Sequence, residues 1–192
     1  MPNLYIIAGC NGAGKTTASF TILPDILDCK EFVNADAIAY GISPFNVEGV
    51  AIEAGKIMLR RIEELLTEGS DFAIETTLAT RSYVSLVQRA QAIGYTVKVI
   101  YIWLASPKIA LRRVAERVKR GGHNIPDDVV ERRYYRGVNN FFSLFIPVCD
   151  AWILADNTFD ELNIVAHGKK KLEEIIENND LWQVIKNQVY GA

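Results

Sequence analysis

The stretch that decides the fold is GCNGAGKT at residues 9–16, which directly follows the apolar run Leu4–Ala8. It matches the pattern GxxxxGK followed by Ser or Thr. A strand before this pattern and a helix beginning near Lys15 are the context in which it forms a phosphate-binding loop. Glycines let the main chain curl so that its N–H groups point at phosphate oxygens, and the helix N-terminus adds a positive dipole. The sequence therefore predicts a nucleotide site near the start of the chain.

Eight residues in and just after this loop are the predicted nucleotide contacts: Gly9, Asn11, Gly12, Ala13, Gly14, Lys15, Thr16 and Thr17. Lys15 has the length to reach the β- and γ-phosphates, and the Thr16 hydroxyl is the predicted Mg²⁺ ligand. ATP and Mg²⁺ are therefore the predicted cofactors. The guanine-reading motif NKxD is absent from the sequence, which argues against a regulatory GTPase.

Short apolar runs alternate with helical patterns along the chain. The runs lack strict alternation, which is typical of strands covered on both faces; they are Leu4–Ala8, Phe32–Asn34, Phe72–Glu75, Val97–Leu104 and Ala151–Ala155. Helices are predicted over Val47–Glu68, Ser82–Ile93, Pro107–Arg120, Asp160–Asn178 and Leu181–Val189, with another beginning at Pro126. This order predicts right-handed βαβ units. The expected fold is an α/β P-loop NTPase or kinase fold, with a parallel five-stranded sheet sandwiched by helices, in a single domain over residues 1–192.

Length and charge restrict the class of protein. A chain of 192 residues fits one domain, and its net charge of -2 argues against general nucleic-acid binding. The N-terminus lacks the pattern of a signal peptide, and no apolar run reaches the roughly 18 residues of a membrane span. We therefore expect a cytoplasmic protein without nucleic-acid or membrane partners. Cys10, Cys29 and Cys149 are odd in number and lack metal-ligand spacing, which indicates reduced thiols.

Polar residues follow the second and third predicted strands, where ligands bind in open α/β sheets. Asp36 is a candidate to accept the proton of an acceptor hydroxyl or to hold that hydroxyl in line, but Asn34 or Asp36 would equally serve as a helix cap. Glu75 and Thr76 suit acceptor or magnesium binding, with a structural turn as the alternative. Arg81 is the last candidate acceptor contact, and a solvated helix-start arginine is an equal alternative.

The fifth predicted strand also ends in polar residues. Asp156 matches the acid of a Walker B motif by pattern only. The favoured interpretation is instead that Asp156 and Asn157 start a turn near the adenine.

Basic residues are concentrated at roughly residues 106–136, in a predicted helix-glycine-helix hairpin. This segment carries Arg112, Arg113, Arg117, Lys119, Arg120, Arg132, Arg133 and Arg136. Its composition favours a mobile lid whose guanidinium groups offset charge on a transferred phosphoryl group and whose closure excludes water. The alternatives are a solvated charged face and a nucleic-acid patch. His123, between the two helices, is a candidate to orient the lid or touch phosphate.

These segments together resemble the zeta-toxin family of P-loop kinases. The resemblance covers most of the chain and is carried by AGCNGAGKTT (8–17), VNAD (33–36), ETTL (75–78) and RGGHNIPDDVVERRY (120–134). It implies a kinase that phosphorylates a UDP-linked amino sugar and is restrained by a small antitoxin protein. It also implies four catalytic residues with distinct roles. Lys15 binds ATP, Asp36 is the base, and Arg120 and Arg133 are the lid arginines, while Glu75 and Thr76 bind the acceptor.

Three functions fit these features. The leading hypothesis is an ATP- and Mg²⁺-dependent phosphotransferase that moves the γ-phosphoryl group onto a hydroxyl of a small-molecule acceptor. A nucleoside or nucleotide kinase is the nearest alternative. A regulatory module that binds nucleotide without transfer, and whose lid docks a partner protein, is the third.

Overall fold

The computed structural model of the chain describes residues 1–159, 161–170 and 172–190. Within these ranges, seven strands form one sheet with the strands in the order β2-β3-β1-β4-β5-β6-β7. The strands are β1 (Asn3–Ala8), β2 (Glu31–Val33), β3 (Phe72–Thr76), β4 (Thr96–Trp103), β5 (Ala151–Asp156), β6 (Asn163–Lys169) and β7 (Ile175–Ile176).

The helices connect and cover these strands. They are α1 (Lys15–Thr21), α2 (Ala35–Ile42), α3 (Ala51–Glu68), α4 (Tyr83–Ala92), α5 (Pro107–Lys119), α6 (Asp127–Asn140) and α7 (Asn179–Tyr190). Two π-helical turns, Ile22–Ile26 and Phe141–Phe145, extend α1 and α6, and a 3₁₀ turn at Glu48–Val50 leads into α3. None of the helices in the described ranges is long and apolar enough to cross a membrane.

The predicted α/β fold is confirmed, and its five predicted strands are the parallel part of the sheet. β1 pairs with β3 on one side and β4 on the other, while β2 and β5 extend the sheet outward, all in parallel. Neighbouring residues of β1 pack on opposite faces: Leu4 and Ile6 join one apolar cluster, and Tyr5 and Ile7 join the other. This two-sided burial explains why the strand sequences show no alternation.

The predicted helix over Asp160–Asn178 is wrong. Residues 163–169 form β6, which pairs antiparallel with β5, and β7 pairs antiparallel with β6. The edge of β5 supplies backbone partners, and Val165 and Ala166 are buried against it. A Cβ at Gly168 would lie 2.9 Å from the Trp152 ring, so the strand approaches β5 closely. Tertiary pairing therefore overrides the local helical pattern. Asp160 and Lys171 lie outside the described residues.

The strand order brings three connections to one edge of the sheet. The segments after β1, β2 and β3 all leave the carboxyl ends of adjacent parallel strands. Residues 9–16 and 34–36 lie in the first two segments, and residues 75–78 span the end of β3 and the start of the third segment. The fold therefore places a phosphate loop and two polar strand ends side by side, as in other open α/β sheets.

A glycine on α6 fixes the distance between this helix and the site. A Cβ on Gly137 would lie 2.5 Å from the Thr77 carbonyl oxygen and 2.9 Å from the Tyr101 hydroxyl. We expect Gly137→Ala to lower the free energy of unfolding by about 1–3 kcal/mol, because overpacking outweighs the gain in helix propensity. Gly55→Ala on α3 is the matched control, because nothing lies within 4 Å of its Cβ position. That control should gain about 0.5–1 kcal/mol.

Denaturant unfolding of both variants measures the two changes. A Gly137→Ala protein as stable as the parent would show that α6 is free to move away from β3 and the close contact with Thr77 is not required.

Candidate active site

The loop after β1 has the backbone of a phosphate cradle. Gly9 has a φ of 144°, and a Cβ there would lie 2.3 Å from the Ile102 carbonyl oxygen. Gly14 has a φ of 86° and forms the N-cap of α1. Both positions require glycine, because an L side chain rarely adopts such φ values. The loop is thereby held against β4 and directs the N-terminus of α1 to the phosphate position.

Lys15 lies inside the loop. Its Nζ donates a hydrogen bond to the Cys10 carbonyl at 2.9 Å and lies 3.7 Å from Glu75 Oε1. The side chain is only 7% exposed, so its charge is concentrated where phosphates would bind. Burial raises the pKa of the neighbouring Cys10 thiol to about 11, and Cys10 therefore stays a protonated, inert thiol.

Glu75, at the end of β3, joins the three motifs. Its Oε2 accepts hydrogen bonds from Thr16 Oγ1 at 2.8 Å and from Asn34 Nδ2 at 2.7 Å. The Asn34 Oδ1 in turn accepts from the backbone N–H groups of Asp36 and Ala37, which caps α2. One carboxylate therefore connects the phosphate loop, the end of β2 and the end of β3.

The donor set around Thr16 fits a magnesium ion. A hydroxyl and a carboxylate are hard oxygen ligands, and Mg²⁺ in nucleotide sites usually takes one or two such groups with phosphate oxygens and waters. In the described part of the chain, no cluster of three His, Cys, Asp or Glu residues could hold a metal ion alone. The protein therefore offers a partial set, Thr16 and Glu75, of the kind that a nucleotide completes.

Asp36 lies in the first turn of α2, next to the capped end. Among the described residues, its carboxylate has no hydrogen-bond or ion-pair partner, and the side chain is exposed. The structure thus shows the helix-cap alternative for Asn34, and the role of Asp36 toward an acceptor hydroxyl stays a prediction. Asn34 is the helix cap, and Asp36 keeps a free carboxylate beside the phosphate loop.

Two clefts lie on either side of the loop, and we name them the nucleotide cleft and the acceptor cleft after the ligands that the sequence analysis predicts. The nucleotide cleft has a volume of about 980 Å³ and is lined by Gly12, Gly14, Thr17, Ala18, Thr21, Ile22, Tyr40, Arg112, Arg113, Glu116, Arg117, Arg120, Gly121, Gly122, Asn157 and Leu162. The acceptor cleft has a volume of about 680 Å³ and runs between α3 and α4. Asn11, Lys15, Asp36, Glu75, Thr76 and Arg133 line the end of the acceptor cleft nearest the loop. Both volumes fall in the range of small-molecule sites.

The lid arginines divide into different environments. Arg113 bonds the carbonyls of Gly12, Asn157 and Thr158, and Arg117 bonds the carbonyl of His123. Arg113 thereby connects the phosphate loop to the turn after β5, and Arg117 holds the segment between α5 and α6. Arg120 is exposed and lines the nucleotide cleft.

Arg133 lies on the other side of the loop from Arg120. It lines the acceptor cleft, and its Nη1 donates to Asn11 Oδ1 at 3.1 Å. The two arginines that the sequence analysis singled out thus flank the loop from opposite clefts.

The structure places Arg81, Asp156 and Asn157 in three different environments. Arg81 is exposed and lines neither cleft, so its contact with an acceptor stays a prediction. Asp156 is buried and accepts hydrogen bonds from the backbone N–H and hydroxyl of Thr158, which makes it a turn residue. Asn157 lines the nucleotide cleft and donates to the Ala13 carbonyl at 2.8 Å, as expected of a turn beside the nucleotide.

Sequence reasoning missed most of the acceptor cleft. One wall carries apolar side chains of α3, including Ile52 and Leu59, which are 79% and 58% exposed. The other wall is rich in hydroxyl groups, from Thr77, Thr80, Ser82 and Ser85. The available signal was that Ile52 and Leu59, two apolar residues seven positions apart, share one face of the predicted helix, and the sequence analysis did not use it.

Comparison with known proteins places this geometry in a family. A sheet with five parallel strands, a phosphate loop after the first of them, two polar strand ends and arginine-bearing helices are typical of the P-loop kinase class. The model of the zeta toxin family matches residues 1–144. The chain therefore belongs to the zeta toxin family, which confirms the resemblance, and family and fold together support a kinase-type phosphotransferase.

One protein sequence and two solved structures illustrate the similarity, and the solved structures, at under 20% identity, share the fold. An uncharacterised protein of Haemophilus influenzae is 34% identical over 128 residues, which cover 66% of this chain and 88% of that protein. The crystal structure of AvrRxo1-ORF1:-ORF2 with ATP has a TM-score of 0.81 at 19% identity, covering 98% of this chain and 64% of that one. The PezAT toxin-antitoxin system of Streptococcus pneumoniae has a TM-score of 0.69 at 17% identity, covering 100% and 80%. This chain thus spans less than two thirds of the AvrRxo1 chain.

Proposed function

We propose that this chain transfers the γ-phosphoryl group of ATP to a hydroxyl group of a small acceptor. The observation that carries the proposal is the meeting of two clefts at one phosphate loop. Gly12, Gly14 and Thr17 face the nucleotide cleft, whereas Lys15 and Asp36 face the acceptor cleft. A γ-phosphate held by the loop would therefore lie between a nucleotide and an acceptor, which is the arrangement that in-line transfer needs.

The residues on the nucleotide side would hold the phosphates. Main-chain N–H groups of residues 9–16 and the Lys15 ammonium would bind the β- and γ-phosphates. Thr16 and Glu75 would hold Mg²⁺, which when bound neutralises phosphate charge. Binding would require Lys15 to leave the Cys10 carbonyl, 2.9 Å away, for the stronger charge of a phosphate.

The residues on the acceptor side would direct the attack. The Asp36 carboxylate would accept the proton of the acceptor hydroxyl as its oxygen bonds to phosphorus and the bond to the ADP oxygen breaks. Arg120 and Arg133 would offset the negative charge that develops on the transferred group. The free Asp36 carboxylate supports this role, since it is not committed to another group of the described chain.

The acceptor cleft supports a hydroxyl-bearing acceptor of substantial size. Its hydroxyl-rich wall offers hydrogen bonds, and its α3 wall offers apolar contact. Both fit a UDP-linked amino sugar, the acceptor that membership of the zeta toxin family suggests. The PezAT relative is a toxin-antitoxin system, and we include a small antitoxin protein as a partner in this proposal.

A metabolite screen tests the transfer. The protein would be incubated with ATP, Mg²⁺ and a bacterial metabolite extract, and mass spectrometry would search for ions that gain one phosphoryl group. Gain on sugar nucleotides supports the proposed acceptor, and gain on nucleosides alone favours a nucleoside kinase. Binding of ATP without ADP formation across the whole extract would contradict transfer and favour a regulatory module.

A further inference from the structure

Asn11 is a phosphate-loop residue whose buried side chain faces the acceptor cleft. Its side chain is only 5% exposed, and it lines the acceptor cleft but not the nucleotide cleft. Its Oδ1 accepts a hydrogen bond from Arg133 Nη1 at 3.1 Å. The Asn11 side chain therefore contacts an arginine on the side of the loop that faces the acceptor cleft.

The backbone that carries Arg133 is anchored to the core. The adjacent Tyr134 donates its hydroxyl proton to the Leu104 carbonyl at 2.7 Å, and Asn140 Nδ2 donates to the Leu78 carbonyl at 2.7 Å. Gly137 packs against the Thr77 carbonyl. These contacts fix α6 to the ends of β3 and β4, so Arg133 does not depend on lid movement for its position.

An anchored helix does not by itself orient an arginine side chain. The long Arg side chain carries about 2 kcal/mol of rotamer entropy, and its planar guanidinium acts best when it is held in one orientation. A guanidinium has five N–H donors, so a bond from Nη1 to Asn11 leaves the others available to a phosphoryl group. Asn11 is a neutral acceptor and leaves the charge of Arg133 uncompensated.

We propose that Asn11 is a positioning residue, which holds the Arg133 guanidinium at the end of the acceptor cleft that Lys15 also lines. This inference rests on the proposed function, because Arg133 can assist transfer only if the chain transfers a phosphoryl group. Asn11 acts through Arg133 and not through the nucleotide. Its loss should therefore lower kcat and leave the KM for ATP unchanged.

A double-mutant cycle tests this coupling. Asn11→Ala should lower the kcat of ATP turnover about tenfold or more, as misplacement of a charge-stabilising group does, and Arg133→Ala on the order of a hundredfold or more. The double variant should be no slower than Arg133→Ala. Added guanidine should partly restore Arg133→Ala when Asn11 is present and should restore the double variant much less. Arg60→Ala, an exposed arginine of α3 that lines neither cleft, is the control for loss of a surface charge.

The outcomes separate this inference from the proposed function. Two properties are measured for the parent and all variants. The first is basal ATP hydrolysis, with water as acceptor, and the second is binding of the transition-state mimic Mg-ADP-aluminium fluoride. Neither measurement requires that the acceptor be known. If the parent neither turns over ATP nor binds the mimic, the proposed function fails. If the parent does both but the two substitutions act additively, or if Asn11→Ala raises the KM for ATP, Asn11 is not acting through Arg133 and the inference is overturned.

Discussion

Lys15→Ala should lower ATP turnover by on the order of a thousandfold, since it removes the one buried cation inside the phosphate loop. Among the residues that the structure describes, Lys15 Nζ contacts two groups that a nucleotide would replace or share, the Cys10 carbonyl and the Glu75 carboxylate. Its charge is therefore available to the β- and γ-phosphates. The measurement is ADP formation with saturating ATP and Mg²⁺, together with calorimetric binding of ADP.

The loss must be separated from damage to the fold. Removing Lys15 leaves Glu75 without its nearby cation, although Glu75 keeps its bonds to Thr16 and Asn34. We expect Lys15→Met, which retains the length of the side chain, to unfold at nearly the parent temperature and still be inactive. A Lys15→Met protein with more than a tenth of parental turnover would show that the loop does not use this cation for catalysis.

The sequence predicts the phosphate loop well because its signals are local. Gly9 and Gly14 mark backbone conformations that other residues rarely adopt, and Lys15 begins a helix directly after a buried strand. The proximity of Asp36 and Glu75 to the loop also follows from the sequence, once the strands are taken as parallel, because the carboxyl ends of parallel strands share one edge.

Features that depend on distant contacts could not be predicted in this way. β6 forms because β5 offers a free edge, and no local pattern reveals an edge. The roles of the arginines are equally hidden, since only tertiary contacts show that Arg113 and Arg117 bond backbone carbonyls whereas Arg120 is exposed at the cleft. The spacing i, i+4 and i+7 of Arg113, Arg117 and Arg120 puts them on one helix face, but spacing does not show which of them contacts backbone and which lines a cleft.

Arg133 and Arg120 differ in how firmly the structure holds them. Arg133 belongs to an anchored helix and already contacts the loop, whereas Arg120 is the C-cap residue of α5, next to the Gly121-Gly122 turn. Closure of the lid would therefore change the distance of Arg120 from a γ-phosphate more than that of Arg133. Under the proposed function, the protein would keep one cation permanently in place and add the second when substrates are bound, which limits wasteful hydrolysis.

Asp36→Asn should lower phosphoryl transfer to the acceptor by about 10²–10⁴-fold, the usual contribution of general base catalysis. The substitution keeps the size and polarity of the side chain but removes the proton-accepting charge. ATP binding should be unchanged, because Asp36 lines the acceptor cleft and not the nucleotide cleft. Transfer is measured with the acceptor identified by the metabolite screen, and ATP binding by calorimetry.

The cap of α2 should survive this substitution, because the bond to Asn34 Oδ1 uses the backbone N–H of residue 36 and not its carboxylate. Loss of an acidic group from the first helical turn costs only about 0.3–1 kcal/mol through the helix dipole. Asp25→Asn is the matched control, since Asp25 is an exposed carboxylate in a helical first turn that lines neither cleft. Its transfer rate should equal that of the parent. Transfer by Asp36→Asn within twofold of the parent would assign the proton to another acceptor, and Glu75, which shares the same cleft, would be the first alternative to test.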